Sequence, residues 1–256
     1  MYVYGNVYWL PRSHTIPVAH RGFSSCAPEN TLAAFREAIQ AGATHVECDV
    51  RASKDGTPYV LHDATLARTA SHPAALVDLP DVDVDRLDAG VWKDPRYAGE
   101  PVPRLDTLLR LLAEHDVSLA LELKVSGIER TVLDAIRDAN YPSRHVTFFA
   151  FEYEVLRTLR NEDPELHCTY LLEQIRDEGA WVGAVARARD DGMRAIGPGA
   201  HLVDERRVEV AHSAGLSVFV WTVDDAAAMQ QLSVWGVDAI MTNNIALAQQ
   251  TLEPSA

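Results

Sequence analysis

The chain has 256 residues, 47% of them hydrophobic and 23% charged. That balance is ordinary for a globular protein and enough to bury a core without disulfides or a structural metal. A formal net charge of −14 argues against sequence-independent binding to nucleic acid or to an anionic membrane, though a metal can still invert the field inside one cleft.

Three cysteines, Cys26, Cys48 and Cys168, with no CxxC pair, suggest neither a disulfide framework nor a zinc ribbon and fit a reducing compartment. Residues 1–17 lack a basic stretch followed by an apolar run, and no apolar stretch of ~20 residues occurs. Neither a secretory leader nor a transmembrane helix is expected, and the cytoplasm is the expected compartment.

Along the chain, short β-rich runs alternate with longer amphipathic ones. Residues 16–19 read as a strand. Residues 30–41 read as a helix, with Leu32, Phe35 and Ile39 on one face and Asn30 or Thr31 as N-cap. A strand over 45–50 leads to a turn at Lys54-Asp55-Gly56 and an extended run over 58–61. Helices are then expected over 105–114, 128–138, 152–160, 180–189, 204–214, 224–232 and 246–251. The strands between them fall at 118–123, 146–149, 166–171, 194–196, 217–221 and 239–241.

About eight βα units result, the number at which a parallel sheet closes on itself. The expected fold is an α/β TIM-type (β/α)8 barrel forming one domain over 1–256. An open doubly wound sheet is the rival, and the absence of a GxGxxG after the first strand weighs against it. Residues 64–101 break the alternation, with Asp-Val-Asp-Val-Asp at 81–85. They read as a small insertion after the second strand region, on the C-terminal rim, either a functional lid or a plain elaboration.

Reactive groups of a βα barrel come from the C-terminal ends of its strands. Four segments bring ionisable or aromatic groups to that rim: His20-Arg21-Gly22, Glu47-Cys48-Asp49, His62-Asp63 and Glu122-Leu123-Lys124, with Trp221-Thr222 as a fifth. Glu47 and Asp49 stand two apart in a strand and share a face. With Glu122 from the neighbouring strand, three carboxylates converge, repelling at roughly 4 kcal/mol per close pair near a surface. Either some carry protons, or Arg and Lys balance them, or a metal sits between them. An all-oxygen set selects a hard ion, Mg²⁺ or Ca²⁺, over zinc. His20 and His62 follow apolar strand runs and flank this cluster, unlike the other eight histidines. Histidine can take or give a proton at neutral pH. Arg21 and Lys124 add fixed positive charge suited to phosphate oxygens, or balance the carboxylates.

Taken as an ordered set, these blocks resemble the glycerophosphodiester phosphodiesterase family. The resemblance runs through His20-Arg21-Gly22, Pro28-Glu29-Asn30-Thr31, Glu47-Cys48-Asp49-Val50 and Asp55-Gly56 leading to His62-Asp63. It continues through Arg68-Thr69, Pro103-Arg104-Leu105, Leu121-Glu122-Leu123-Lys124, Trp221-Thr222-Val223 and Gly236-Val237-Asp238-Ala239-Ile240. It implies a TIM-type barrel with an insertion after the His62 run, a divalent metal held by Glu47, Asp49 and Glu122, and His20 and His62 as the acid–base pair. Glu29, Asn30 and Asp63 would stand beside these groups, and Arg21, Lys124 and Trp221 would meet the substrate. The implied reaction converts a glycerophosphodiester to glycerol 3-phosphate and an alcohol, with a small-molecule partner only; a homodimer is held open. The rivals are a phosphodiesterase acting on lysophospholipids and a non-catalytic barrel that holds a phosphorylated ligand.

Two departures from the family pattern stand out. Thr242-Asn243-Asn244-Ile245 replaces the usual Thr-Asp followed by Pro, where Asn is expected to cap the last helix with little effect on chemistry. Ala150-Phe151 replaces a Ser-Phe, removing a hydroxyl from the rim.

Overall fold

Period-two runs and period-3.6 runs alternate because each strand must bury its outward face under the helix that follows it. The computed structural model describes Trp9 and residues 14–252. Most of the opening segment, in which no leader is read, lies outside the described residues.

In chain order the elements are β1 (Ile16–His20), α1 (Leu32–Gln40), β2 (His45–Ala52) and β3 (Pro58–Val60). Next come α2 (Ala67–Ala70), α3 (Asp81–Val84), α4 (Leu105–Glu114), β4 (Ser118–Leu123) and α5 (Glu129–Asp138). They are followed by β5 (Val146–Ala150), α6 (Tyr153–Glu162), β6 (His167–Leu172), α7 (Glu178–Asp190) and β7 (Ala195–Pro198). The chain closes with α8 (Glu205–Ser213), β8 (Ser217–Val220), α9 (Ala226–Val234), β9 (Ala239–Thr242) and α10 (Ile245–Leu252).

The sheet runs β1-β9-β8-β7-β6-β5-β4-β2-β3, and β1 also pairs with β2 in parallel, so eight of the nine strands close into a barrel. Among the described residues only β3 stands outside it, antiparallel to β2 across the Gly56 turn. Val46, Cys48 and Val50 of β2, with Leu119, Leu121 and Leu123 of β4, face outward into the layer beneath the helices. The inward set is smaller: Val18, Ala120, Phe149, Leu171, Ala195, Phe219 and Met241 fill the barrel interior. Trp9 joins them at the N-terminal mouth, its Nε1 donating to the His145 carbonyl at 3.0 Å and its ring edge-on to His45.

The insertion carries α2, α3 and two 3-10 turns around a core of its own, including Leu66, Leu76 and Val84, packed with Tyr59 of β3. It docks on the β1–α1 loop and the first turn of α1: Lys93 Nζ donates to the Ser24 carbonyl at 2.9 Å, and Glu100 Oε1 accepts from Ala33 N at 2.9 Å.

Side-chain caps set the starts of α1 and α9. Thr31, not Asn30, caps α1 by accepting from Ala34 N, and Asp225, not Asp224, caps α9. Both displaced residues have other work, described below. At the head of β1 the backbone turns sharply: Arg21 and Asn30 have φ of 58° and 59°, and Gly22 follows Arg21 at 78°. A Cβ on Gly22 would lie 2.6 Å from the Ala34 backbone, so no other residue fits this bend without displacing α1. Gly22→Ala is expected to cost about 1–3 kcal/mol, read as a lower urea midpoint. A change below about 0.5 kcal/mol, the usual size for an indifferent surface position, would show that the loop relaxes freely.

Candidate active site

Parallel strands end at one rim, and β1, β2 and β4 are neighbours in the barrel. In β2 the alternation that turns Cys48 outward turns Glu47 and Asp49 inward. The register pairs Asp49 with Glu122 and His20 with Glu47. One carboxylate oxygen from each of Glu47, Asp49 and Glu122 lies within 4.8 Å of the others, and all three residues are buried.

The β1–α1 loop wraps this cluster. Glu47 Oε2 accepts from the Arg21 backbone N–H at 3.0 Å, and Asp49 Oδ2 accepts from Asn30 Nδ2 at 2.8 Å. The Arg21 guanidinium spans Glu29 (Nη1 to Oε1, 2.8 Å) and Asp49 (Nε to Oδ2, 3.1 Å). Lys124 Nζ lies 2.7 Å from Glu122 Oε1 and 3.5 Å from Asp49 Oδ1. Both cations balance carboxylates, and both line the cavity described below. The left-handed backbone at Arg21 and Asn30 turns the Arg21 and Asn30 side chains toward Asp49.

The two histidines reach the rim by different routes. His20 ends β1, with Nε2 3.9 Å from Glu47 Oε2. Its Nδ1 lies 2.8 Å from Asn243 Oδ1. Asn243 Nδ2 donates to Asp224 Oδ2 at 2.6 Å, which turns the amide oxygen toward the imidazole. The expected Asn cap of α10 is Asn244, accepting from Leu247 N, while Asn243 meets His20 instead. His62 follows β3, its carbonyl bound by Arg51 Nε at 2.8 Å. Its Nδ1 donates to Asp63 Oδ1 at 2.7 Å.

Arg21, Glu47, Glu122, Lys124 and both histidines line one side of a cavity of about 260 Å³. Phe149, Phe151, Leu171, Trp221, Met241 and Glu173 line the other, and no insertion residue takes part. Trp221 is pinned by Nε1 donating to the Gly197 carbonyl at 2.7 Å and meets Phe151 edge-on at 5.4 Å. Phe151 fills the wall beside Ala150, where the rim hydroxyl is missing. The sequence marks Asn243 and Phe151 only within departures from the family pattern, and nothing in it singles out Asp224 or Glu173 for the site.

Electrostatics set the state of this cluster. Burial, and then the Asp49 charge, raise Glu47 well above the usual carboxylate range and lift Glu122 to about 7. Burial works on Asp49 too, but Arg21 and Lys124 outweigh it and hold Asp49 below its usual value. Burial and Arg21 push His20 down to about 4. Asp49 Oδ1 is buried without a hydrogen-bond partner among the described residues. Three carboxylates, one with an orphaned oxygen and two reluctant to ionise, form a donor set suited to a hard divalent cation.

Comparison with known proteins agrees with this geometry. The profile of the glycerophosphoryl diester phosphodiesterase family matches residues 20–247. A glycerophosphodiester phosphodiesterase of Caldanaerobacter subterraneus is 32% identical over 90% of this chain and 94% of its own. Among solved structures, an Oleispira antarctica phosphodiesterase in complex with the product sn-glycerol-3-phosphate superposes with a TM-score of 0.84 at 28% identity, covering 93% of this chain and 96% of that one. An Agrobacterium tumefaciens glycerophosphodiester phosphodiesterase has a TM-score of 0.78 at 31% identity, covering 92% and 99%.

The cluster's charge state has a measurable consequence. Where Glu47 and Glu122 hold protons, a cation must displace them. Affinity for Mg²⁺ or Ca²⁺, measured by calorimetry, is expected to be full above the Glu122 value of about 7 and to be lost as pH falls through it. Glu47→Gln should weaken binding at least ~10-fold. Affinity independent of pH between about 6 and 8, or unchanged in Glu47→Gln, would contradict a cation site at these carboxylates.

Proposed function

Because the chain belongs to the glycerophosphoryl diester phosphodiesterase family, we propose that it hydrolyses glycerophosphodiesters to glycerol 3-phosphate and an alcohol, with His20 as proton acceptor and His62 as proton donor. The observation that carries this reading is the convergence on one cavity of two imidazoles, one ending β1 and one following β3, beside three buried carboxylates. A divalent cation of the Mg²⁺ or Ca²⁺ type would be held by Glu47, Asp49 and Glu122 and would supply Lewis-acid stabilisation of the phosphoryl charge.

The rest is work for the chain's own side chains. With Asn243 presenting its carbonyl oxygen, the neutral His20 ring donates from Nδ1 and keeps its lone pair on Nε2. A ring held down to about 4 is unprotonated at neutral pH, ready to take the proton of the attacking nucleophile, either water directly or a glycerol hydroxyl whose cyclic phosphate water then opens. His62 has a carboxylate rather than an amide at Nδ1. Such a partner compensates positive charge on the ring, which suits the group that protonates the departing alkoxide from Nε2. Arg21 and Lys124 stabilise the phosphoryl oxygens, and Trp221 with Phe151 forms an apolar wall against the carbon skeleton.

A cavity of about 260 Å³ without insertion residues in its lining supports a small head group over a lysophospholipid chain. Both histidines and the full carboxylate set are present in one place, which argues against a non-catalytic binding barrel. The unpaired Cys26, Cys48 and Cys168 are in keeping with a reducing compartment such as the cytoplasm.

The test is release of glycerol 3-phosphate from a soluble glycerophosphodiester. His20→Ala and His62→Ala should each lower kcat by at least ~10² with an unchanged circular dichroism spectrum. EDTA should abolish turnover, and Mg²⁺ or Ca²⁺ should restore it. Near-native turnover in either variant removes that histidine from the chemistry, and insensitivity to chelation removes the cation.

A further inference from the structure

The insertion is absent from the cavity, yet one of its side chains reaches the His62 side of the site. Arg68 sits on α2 between buried Leu66 and Thr69, with Ala70 buried behind. That packing fixes where its side chain leaves the helix. The guanidinium makes two forks. Toward Asp63, Nε donates to Oδ2 at 2.8 Å and Nη2 to Oδ1 at 3.1 Å. Toward Glu29, Nη1 donates to Oε2 at 2.7 Å and Nη2 to Oε1 at 2.9 Å. Asp63 Oδ1 is the same atom that accepts from His62 Nδ1. Glu29 Oε1 is the same atom that accepts from Arg21, which in turn spans to Asp49.

We propose that Arg68 is a positioning residue, supplied by the insertion, that aims His62 by locking Asp63 against Glu29. The inference rests on the phosphodiesterase reading, with His62 as proton donor. Asp63 and His62 are each about one-third exposed, with side-chain accessibilities of 31% and 33%. Without the fork, the Asp63 carboxylate is free to turn into solvent, and the imidazole loses the partner that fixes its plane. A planar guanidinium can hold both oxygens of two carboxylates at once, whereas an ammonium cannot. The forks tie the two loops beside His62 to each other, so whatever they add to stability, their geometry serves the alignment of that ring. The insertion then acts on the chemistry from outside the cavity, through one side chain.

The leaving group provides the test. Two substrates are compared: glycerophosphoethanolamine, whose alkoxide needs a proton to depart, and the p-nitrophenyl ester of glycerol 3-phosphate, whose phenolate does not. For Arg68→Ala we expect kcat on the first to fall roughly 10- to 100-fold, with KM within about twofold and the melting temperature little moved. On the aryl ester the loss should shrink to within about threefold, because proton donation no longer limits. His62→Ala should show the same dependence on leaving group. Arg68→Lys keeps the charge without the forks and should behave as Arg68→Ala does, which covers an alanine variant that folds poorly. Guanidinium ion, added below denaturing concentration, should partly restore Arg68→Ala on the alkyl substrate.

Wild-type kcat in Arg68→Ala and Arg68→Lys, or equal losses on both substrates, would overturn the proposal while leaving the phosphodiesterase reading intact. A wild-type chain inert toward both substrates would overturn that reading, and the role of Arg68 with it.

Discussion

At the C-terminal end of the barrel, Glu47, Asp49 and Glu122 are held within 4.8 Å of one another with almost no solvent to screen them. Two fully ionised carboxylates this close oppose each other by roughly 4 kcal/mol even at the effective dielectric of a protein surface. Arg21 and Lys124 set two positive charges against three negative ones. Arg21 is shared with Glu29 as well, and burial together with the Asp49 charge raises the proton affinity of Glu47 and Glu122. Much of the site's architecture answers this imbalance: a rim that concentrates the charges, a strained loop that supplies donors, and space for a cation.

The barrel makes the concentration possible. Parallel pairing of β1, β2 and β4 puts their ends at one level, and the two-residue period turns alternate side chains to the inside. The β1–α1 loop then folds back over the cluster with Arg21 and Asn30 in left-handed conformations, at a cost borne by the surrounding packing. Gly22 lets that loop lie against α1, and the insertion clamps the loop and the first turn of α1 from above through Lys93 and Glu100. The two histidines sit at the edges of the charged cluster with unlike partners, an amide for His20 and a carboxylate for His62. A pair of imidazoles in such different settings can divide the roles of acceptor and donor.

Much of this was legible in the sequence, because much of it is periodic. Alternating runs predict the barrel, and the parity of Glu47 and Asp49 predicts their shared face. The closure of β1 on β2, with β3 left outside, needed the pairing itself. What escaped depends on contacts between distant loops. Asn243 meets His20 across 223 positions, Arg68 meets Glu29 across 39, and nothing in local pattern links either pair. Asp224 reads as a helix-starting residue, yet Asp225 takes the cap and frees Asp224 to orient Asn243. The cluster under the insertion is likewise hidden in a stretch with no clear period, since its apolar residues come from turns and short helices.

On the proposed reading, the buried carboxylate cluster holds a cation and the flanking imidazoles act on a phosphate beside it. A crystal structure with Mn²⁺ and glycerol 3-phosphate, phased at the metal's anomalous edge, addresses it most directly. The expected result is a single strong anomalous peak bonded to oxygens of Glu47, Asp49 and Glu122 at about 2.0–2.6 Å, with the phosphate between His20 and His62. A cluster that stays closed by Arg21 and Lys124, with the metal absent or bound elsewhere at saturating concentration, would contradict it.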